Sequence, residues 1–254
     1  MAKIAVFDSG LGSLSIIKEI QKIAKVEIIY FGDQENFPYG QKTKYELRKI
    51  IEKSIKRIKK DFAPDLIVVG SNTPTIMLDI EEEKIIGVKP PLKEAEKDSK
   101  TKEIGILGTK SAVCSRELSK FIKNSNLNSE TTVHKINGSS LVELVESGKF
   151  LTNKFFCKKK IQEILEETLI EKNIDVITLS STHLPFLKTM LENQFPSVIF
   201  IDPAKLVAKD IHRKIKKNQL KQNKLKIFCS GNKEKFEKNL RKLGIKNKVN
   251  ALSV

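Results

Sequence analysis

The chain has 254 residues, 39% hydrophobic and 31% charged, which excludes a disordered polymer and gives enough length for one large α/β unit or two smaller ones. No apolar run approaches the ~20 residues that cross a bilayer, and Asp8 interrupts the first apolar stretch too early for a signal peptide, so a cytoplasmic protein is expected. The formal net charge of +16 is mostly lysine spread over helical segments without interleaved aromatic rings, so neither nucleic acid nor a membrane is expected as a partner.

The first apolar run, 4–7, reads as a strand ending in the loop Asp8-Ser9-Gly10-Leu11-Gly12. Ser15 stands where a dinucleotide fingerprint needs its third glycine, and an acid at the strand end repels pyrophosphate, so no Rossmann cofactor is expected. The two glycines are expected to give a tight turn and a close backbone approach to a ligand. Leu14, Ile16, Ile17 and Ile20 mark the buried face of a first helix, and 26–31 a second strand. Asn36-Phe37-Pro38-Tyr39-Gly40 is a turn before a long helix over 42–60, whose apolar face carries Leu47, Ile50, Ile51, Ile55 and Ile58. Strand 66–69 leads into Ser71-Asn72-Thr73-Pro74, where Thr73 fits a helix N-cap and Pro74 the first helical position.

Strand 85–88 precedes a charged stretch, 93–102, that suits a domain boundary, as does Pro203. Runs 104–107, 131–136, 176–179, 198–201 and 226–229 read as further strands, apolar on both faces as in a parallel sheet. Strand and helix alternate throughout, which predicts a doubly wound α/β architecture. The densest basic stretch, 205–226 with Arg213, Lys214, Lys216 and Lys217, reads as a solvated helix face. Cys114, Cys157 and Cys229 form no C-x-x-C pair and read as small buried hydrophobes in a reducing compartment.

Residues 66–74 and 176–185 echo one another as strand, hydroxyl-rich turn, proline and helix, which suits two similar lobes. The second of these turns, Ser181-Thr182-His183-Leu184-Pro185, carries a histidine able to act as acid, base, orienter or cap. Helix amides at these turns suit carboxylates and Asp8 an ammonium, a set fitted to a small zwitterion. His134, His183 and His212 are too scattered for a metal site, and no metal is expected.

These loops carry a resemblance. The stretch 6–12, then Phe37-Pro38-Tyr39-Gly40, Ser71-Asn72-Thr73, the run 104–109 ending in Gly108-Thr109, Ser181-Thr182-His183-Leu184-Pro185, and Phe228 to Gly231 with Phe236 resemble the glutamate racemase family, in its order and at its spacing. The resemblance implies two α/β lobes with mostly parallel sheets, residues 1–92 plus 205–254 and residues 93–204, with an active-site cleft between them. It implies cofactor-independent proton transfer at the α-carbon of glutamate or aspartate, a D-amino acid for the cell wall, and a homodimer. The family's two catalytic cysteines fall on Ser71 and Ser181, with Asp8 and His183 as their companions. Ser9, Tyr39, Gly40, Asn72, Thr73, Thr109 and Thr182, with Asp8 and His183, match substrate-binding positions. Leu184 stands where a tyrosine is usual, and Ala112 where a substrate-contacting threonine is expected, beside Ser111. A hydroxyl is a far weaker acid than a thiol and needs a neighbouring base. Three alternatives therefore stand beside racemisation: a silent binding or regulatory homologue, a lyase, decarboxylase or hydrolase working through His183 alone, and serines engineered in place of cysteines.

Overall fold

The computed structural model describes residues 2–215 and 220–253; Lys216 and Lys217 lie outside the described residues. Among these residues ten strands form: β1 Lys3–Asp8, β2 Glu27–Asp33, β3 Leu66–Val69, β4 Ile85–Gly87, β5 Glu103–Gly108, β6 Thr132–Asn137, β7 Val176–Ser180, β8 Ile199–Ile201, β9 Lys224–Ser230 and β10 Val249–Ala251. The chain divides into two compact units, Met1–Val88 with Ala204–Val254, and Lys89–Pro203. The first division falls at 88/89 instead of 92/93 because the short helix Leu92–Asp98 packs on β7 of the second unit.

The first unit holds a six-stranded sheet in the order β10-β9-β2-β1-β3-β4, and the second a four-stranded sheet in the order β6-β5-β7-β8. Every strand pair in both is parallel. The order β2-β1-β3-β4 thus recurs as β6-β5-β7-β8, and the two echoing segments occupy the same place, β3 in one and β7 in the other. In each sheet the strand order reverses beside β1 or β5, the point where open parallel sheets place ligands at their carboxyl ends.

Local chemistry sets these elements. In the first unit the helix Lys44–Phe62 opens with a capping box, the Thr43 hydroxyl accepting from the Glu46 amide while the Glu46 carboxylate accepts from the Thr43 amide. It buries Ser54 and packs Leu47, Ile51 and Ile58 into one core with Phe7, Phe31 and Val69; Ile50 and Ile55 are only partly buried. The first helix, Leu14–Ile23, buries all four residues expected of it. Residues 131–136 were expected to be apolar on both faces, yet β6 is an edge strand with one neighbour, β5, and only Ile136 is buried in it. The basic helix near the C-terminus spans Ala204–Lys214 and buries Ala204, Val207, Ala208 and Ile211.

Candidate active site

In the first unit, Asp8 ends β1 and is buried, with one carboxylate oxygen accepting from the Ser9 amide at 2.7 Å. Phe7 pairs with Val69 on β3, so the chain past Asp8 and the chain carrying Ser71 leave neighbouring strands side by side. Gly70 makes this possible: a Cβ there would lie 2.1 Å from the Ser13 hydroxyl, which itself donates to the Gly70 carbonyl at 3.2 Å. Neither Gly10 nor Gly12 takes a positive φ. Gly70 is where a side chain would not fit, because of Ser13.

The helix after β3 spans Asn72–Leu78, so Ser71 holds the N-cap position, with Thr73 and Pro74 at the second and third helical positions. The expected start was two residues too late, because amides of a first turn lack intrahelical acceptors and a proline at its third position forfeits nothing. Ser71 is extended and its hydroxyl does not cap the helix. Asn72 is buried; its Nδ2 donates to the Val88 carbonyl at 3.1 Å, while its Oδ1 has no partner. A buried acceptor left in this state costs roughly 1–3 kcal/mol, and an ammonium-bearing ligand would relieve it.

Tyr39 is held by a group that sequence reasoning missed. Its hydroxyl donates to Asp33 Oδ2 at 2.9 Å, and Asp33 also accepts from Asn36 and, at 2.8 Å, from the Ser230 hydroxyl. Burial, with the charges of Asp33 and Asp8 beside it, pushes the Tyr39 phenol well above its usual range, so it stays protonated as a donor. Its amide faces the Ser9 hydroxyl at 3.5 Å, and Gly40 follows in the short turn Tyr39–Gln41. Asp33 resembles Asp8 in closing a buried strand, and that was the available signal.

In the second unit, Gly108 pairs with Ser180, so Thr109 and Ser181 are the next residues on neighbouring strands. Thr109 caps the helix Lys110–Val113, its hydroxyl accepting from the Ala112 amide at 3.4 Å and lying 3.2 Å from the Ser111 hydroxyl. Ala112 is buried. Ser181, Thr182 and His183 are all buried. Leu184–Leu187 form a 3₁₀ turn before the helix Lys188–Gln194, so Pro185 does not open an α-helix directly. His183 caps nothing with its side chain; its Nε2 meets Glu146 Oε1 at 2.6 Å in a nearly buried pair. Glu146 ends the helix Ser139–Glu146, and nothing in the sequence ties it to a histidine 37 positions later. Among the described residues, no hydrogen bond takes up the hydroxyl of Ser71 or of Ser181.

The cysteines lie elsewhere. Cys157 and Cys229 are buried as expected, but Cys114, at the end of the short helix Lys110–Val113, is exposed; burial raises the Cys157 thiol, and burial with the charge of Glu234 pushes Cys229 up to about 11. Among the described residues no three His, Cys, Asp or Glu side chains gather as a metal ion would require.

A glutamate racemase isoform from Bacillus anthracis superposes with a TM-score of 0.87 at 25% identity, covering 100% of this chain and 98% of that one. The likeness puts the molecule in the class of two-unit α/β racemases. No protein-family model matches the chain, but curated relatives do: the glutamate racemase of Glaesserella parasuis is 30% identical over 92% of this chain and 91% of its own length, and that of Buchnera aphidicola 32% identical over 94% and 92%. The chain belongs to the glutamate racemase family.

Proposed function

We propose that this protein interconverts the L and D forms of glutamate by proton transfer at the α-carbon, without a cofactor, with Ser71 and Ser181 at the two proton-handling positions. The observation that carries the reading is the repeated one: two serine loops at equivalent strands of two like sheets, each with an ionisable companion. Inversion at carbon needs one group to take the α-proton and another to return a proton to the opposite face, and a repeated half-site supplies two such groups.

The roles follow from chemistry. A serine hydroxyl cannot take a proton from carbon until a base has taken its own. In the second unit that base is His183, with Glu146 fixing its ring and stabilising the imidazolium formed when it accepts a proton. In the first unit it is Asp8, at the strand end beside the Ser71 loop. Asn72 Oδ1 offers an acceptor to the substrate's ammonium, and Ser9, Tyr39, Gly40, Thr73, Thr109 and Thr182 are the further positions proposed for substrate contact by analogy with the family. Replacement of the family's thiols by hydroxyls is part of the proposal, with slower turnover as its consequence. The unpaired thiols support a cytoplasmic setting, and a homodimer is proposed by analogy with the family.

The test is proton NMR of L-glutamate, D-glutamate and L-aspartate in deuterated buffer with purified protein. Loss of the α-proton signal, with the opposite enantiomer appearing on chiral chromatography, is expected for glutamate. Retention of that signal in all three ends the racemase reading; calorimetric binding without exchange would leave a silent homologue.

A further inference from the structure

The turn joining the helix Lys149–Thr152 to the helix Lys154–Glu171 has no role in the site above. Residues 147–162 include five lysines and no acid. Leu151, Phe155 and Phe156 are exposed there, Phe155 to 81%. Folded domains ordinarily cover rings of this size, and an apolar patch rimmed by charge marks a contact surface.

These side chains have no inward alternative. The longer helix buries Cys157, Ile161, Leu165 and Leu169 at four-residue steps, which leaves Phe155 and Phe156 off that face. Asn153 fixes the helix start, its side-chain oxygen accepting from the Phe156 amide at 3.1 Å, so the rings are held in place. The neighbouring Phe150 does pack inward, 5.8 Å from Phe186 between ring centres.

The cations are placed to match. Lys149 Nζ lies 5.2 Å from the centre of the Phe156 ring. Lys158 and Lys159 are exposed and follow the rings by three or four residues, one turn back along the helix. Lys160, the last of the five, is bridged to Glu163 at 2.8 Å, which offsets its charge. Apolar tips with ammonium groups one turn behind them is the depth order of an interfacial segment: rings enter the acyl boundary while lysines stay with the phosphates.

We propose that Lys149, Leu151, Lys154, Phe155, Phe156 and Lys159 form a docking surface for a bilayer bearing anionic phospholipid. Charge selects this occupant. A two-fold contact between copies would set lysines against lysines, and Leu151 offers no face on which a base could stack. No helix among the described residues is long and apolar enough to cross a membrane; a surface contact needs none. The expectation of no membrane partner rested on lysines spread without interleaved rings as well as on the missing span; here rings and lysines do interleave, and the proposal departs from it for that reason.

The full chain is sedimented with vesicles of phosphatidylcholine alone and of phosphatidylcholine with phosphatidylglycerol. Partition to the mixed vesicles only, weakened by salt, is expected. Phe155→Ser with Phe156→Ser should lower it about tenfold or more, and Lys154→Glu or Lys159→Glu by about fivefold each, with far-ultraviolet circular dichroism and melting temperature matching the parent. No partition to anionic vesicles, or partition indifferent to the phenylalanines, overturns the proposal. So does a change in oligomeric mass caused by the same substitutions, or phenylalanine-dependent binding of a single-stranded oligonucleotide in place of vesicles.

Discussion

The two units share a strand order and a serine loop but hold the acid–base groups proposed above by different routes. In the first, the acid is part of the strand itself: Asp8 closes β1, next to the loop carrying Ser71. In the second, the equivalent strand ends in Gly108, and the ionisable group arrives from outside, His183 in the loop and Glu146 from a helix end. One half-site is thus built into the sheet, the other assembled by a side-chain contact across 37 residues. The built-in half depends on backbone closeness at Gly70, the assembled half on a buried hydrogen bond.

The largest expected effect comes from placing a thiol in each half. Ser71→Cys with Ser181→Cys should raise racemisation of glutamate about 10³-fold, since a thiol can reach the thiolate at neutral pH while a hydroxyl depends on its companion. Steady-state assays of the double variant beside the parent check this. An unchanged rate would mean that the two loops do not carry the proton transfers.

Next in size are the companions. Asp8→Asn and His183→Asn should each slow turnover by about 10²-fold or more. They should also spare exchange of opposite enantiomers, because each disables the group serving one face of the α-carbon. Deuterium wash-in followed separately from L- and D-glutamate shows the split; equal loss of both exchanges in either variant contradicts a two-base arrangement. Glu146→Gln, which takes the charge away from the partner of His183, should cost about tenfold in turnover with the melting temperature little changed.

The same contrast governs what could be read in advance. Strands announce themselves as β-branched runs, and nine of the ten among the described residues were legible as such, although β6, β8 and the start of β9 are not buried on both faces. The tenth, Val249–Ala251, is three residues long with one partner, β9, and carries no such run. β6 misled because edge position is decided by topology, which composition does not record. At the site, residues on loops that directly follow strands were legible, since parallel sheets place function there. Glu146 was not, because on its own a glutamate at a helix end reads as a solvated charge; Asp33 closes a strand as Asp8 does, but its partners Tyr39 and Ser230 are brought to it only by folding.

Asp33 offers a test of rigidity in the built-in half. It accepts from Tyr39, Ser230 and Asn36 while fully buried. Asp33→Ala strands those donors and should cost about 2–4 kcal/mol of stability, read as a lowered urea midpoint. Tyr39→Phe removes one donor and should cost about 1 kcal/mol.

The smallest effect tests whether the likeness of the units reaches the other end of their sheets. Asp65 precedes β3 and accepts from the Lys3 amide at 2.9 Å; Asp175 precedes β7 and accepts from the Ser99 hydroxyl at 2.6 Å and from the amides of Lys100 and Thr101. Burial works against the Asp175 carboxylate, but these hydrogen bonds outweigh it and hold its pKa below the ordinary value. A depressed folded pKa stabilises the protein above the unfolded value, near 3.9, and that contribution fades as pH falls through the folded value. Asp175→Asn keeps one acceptor and loses the charge, so it should cost about 1 kcal/mol at pH 7. The gap between variant and parent should close in acid below about pH 4. Urea midpoints at both pH values measure it, and a gap that persists undiminished in acid would assign the cost to packing instead of to the carboxylate's charge.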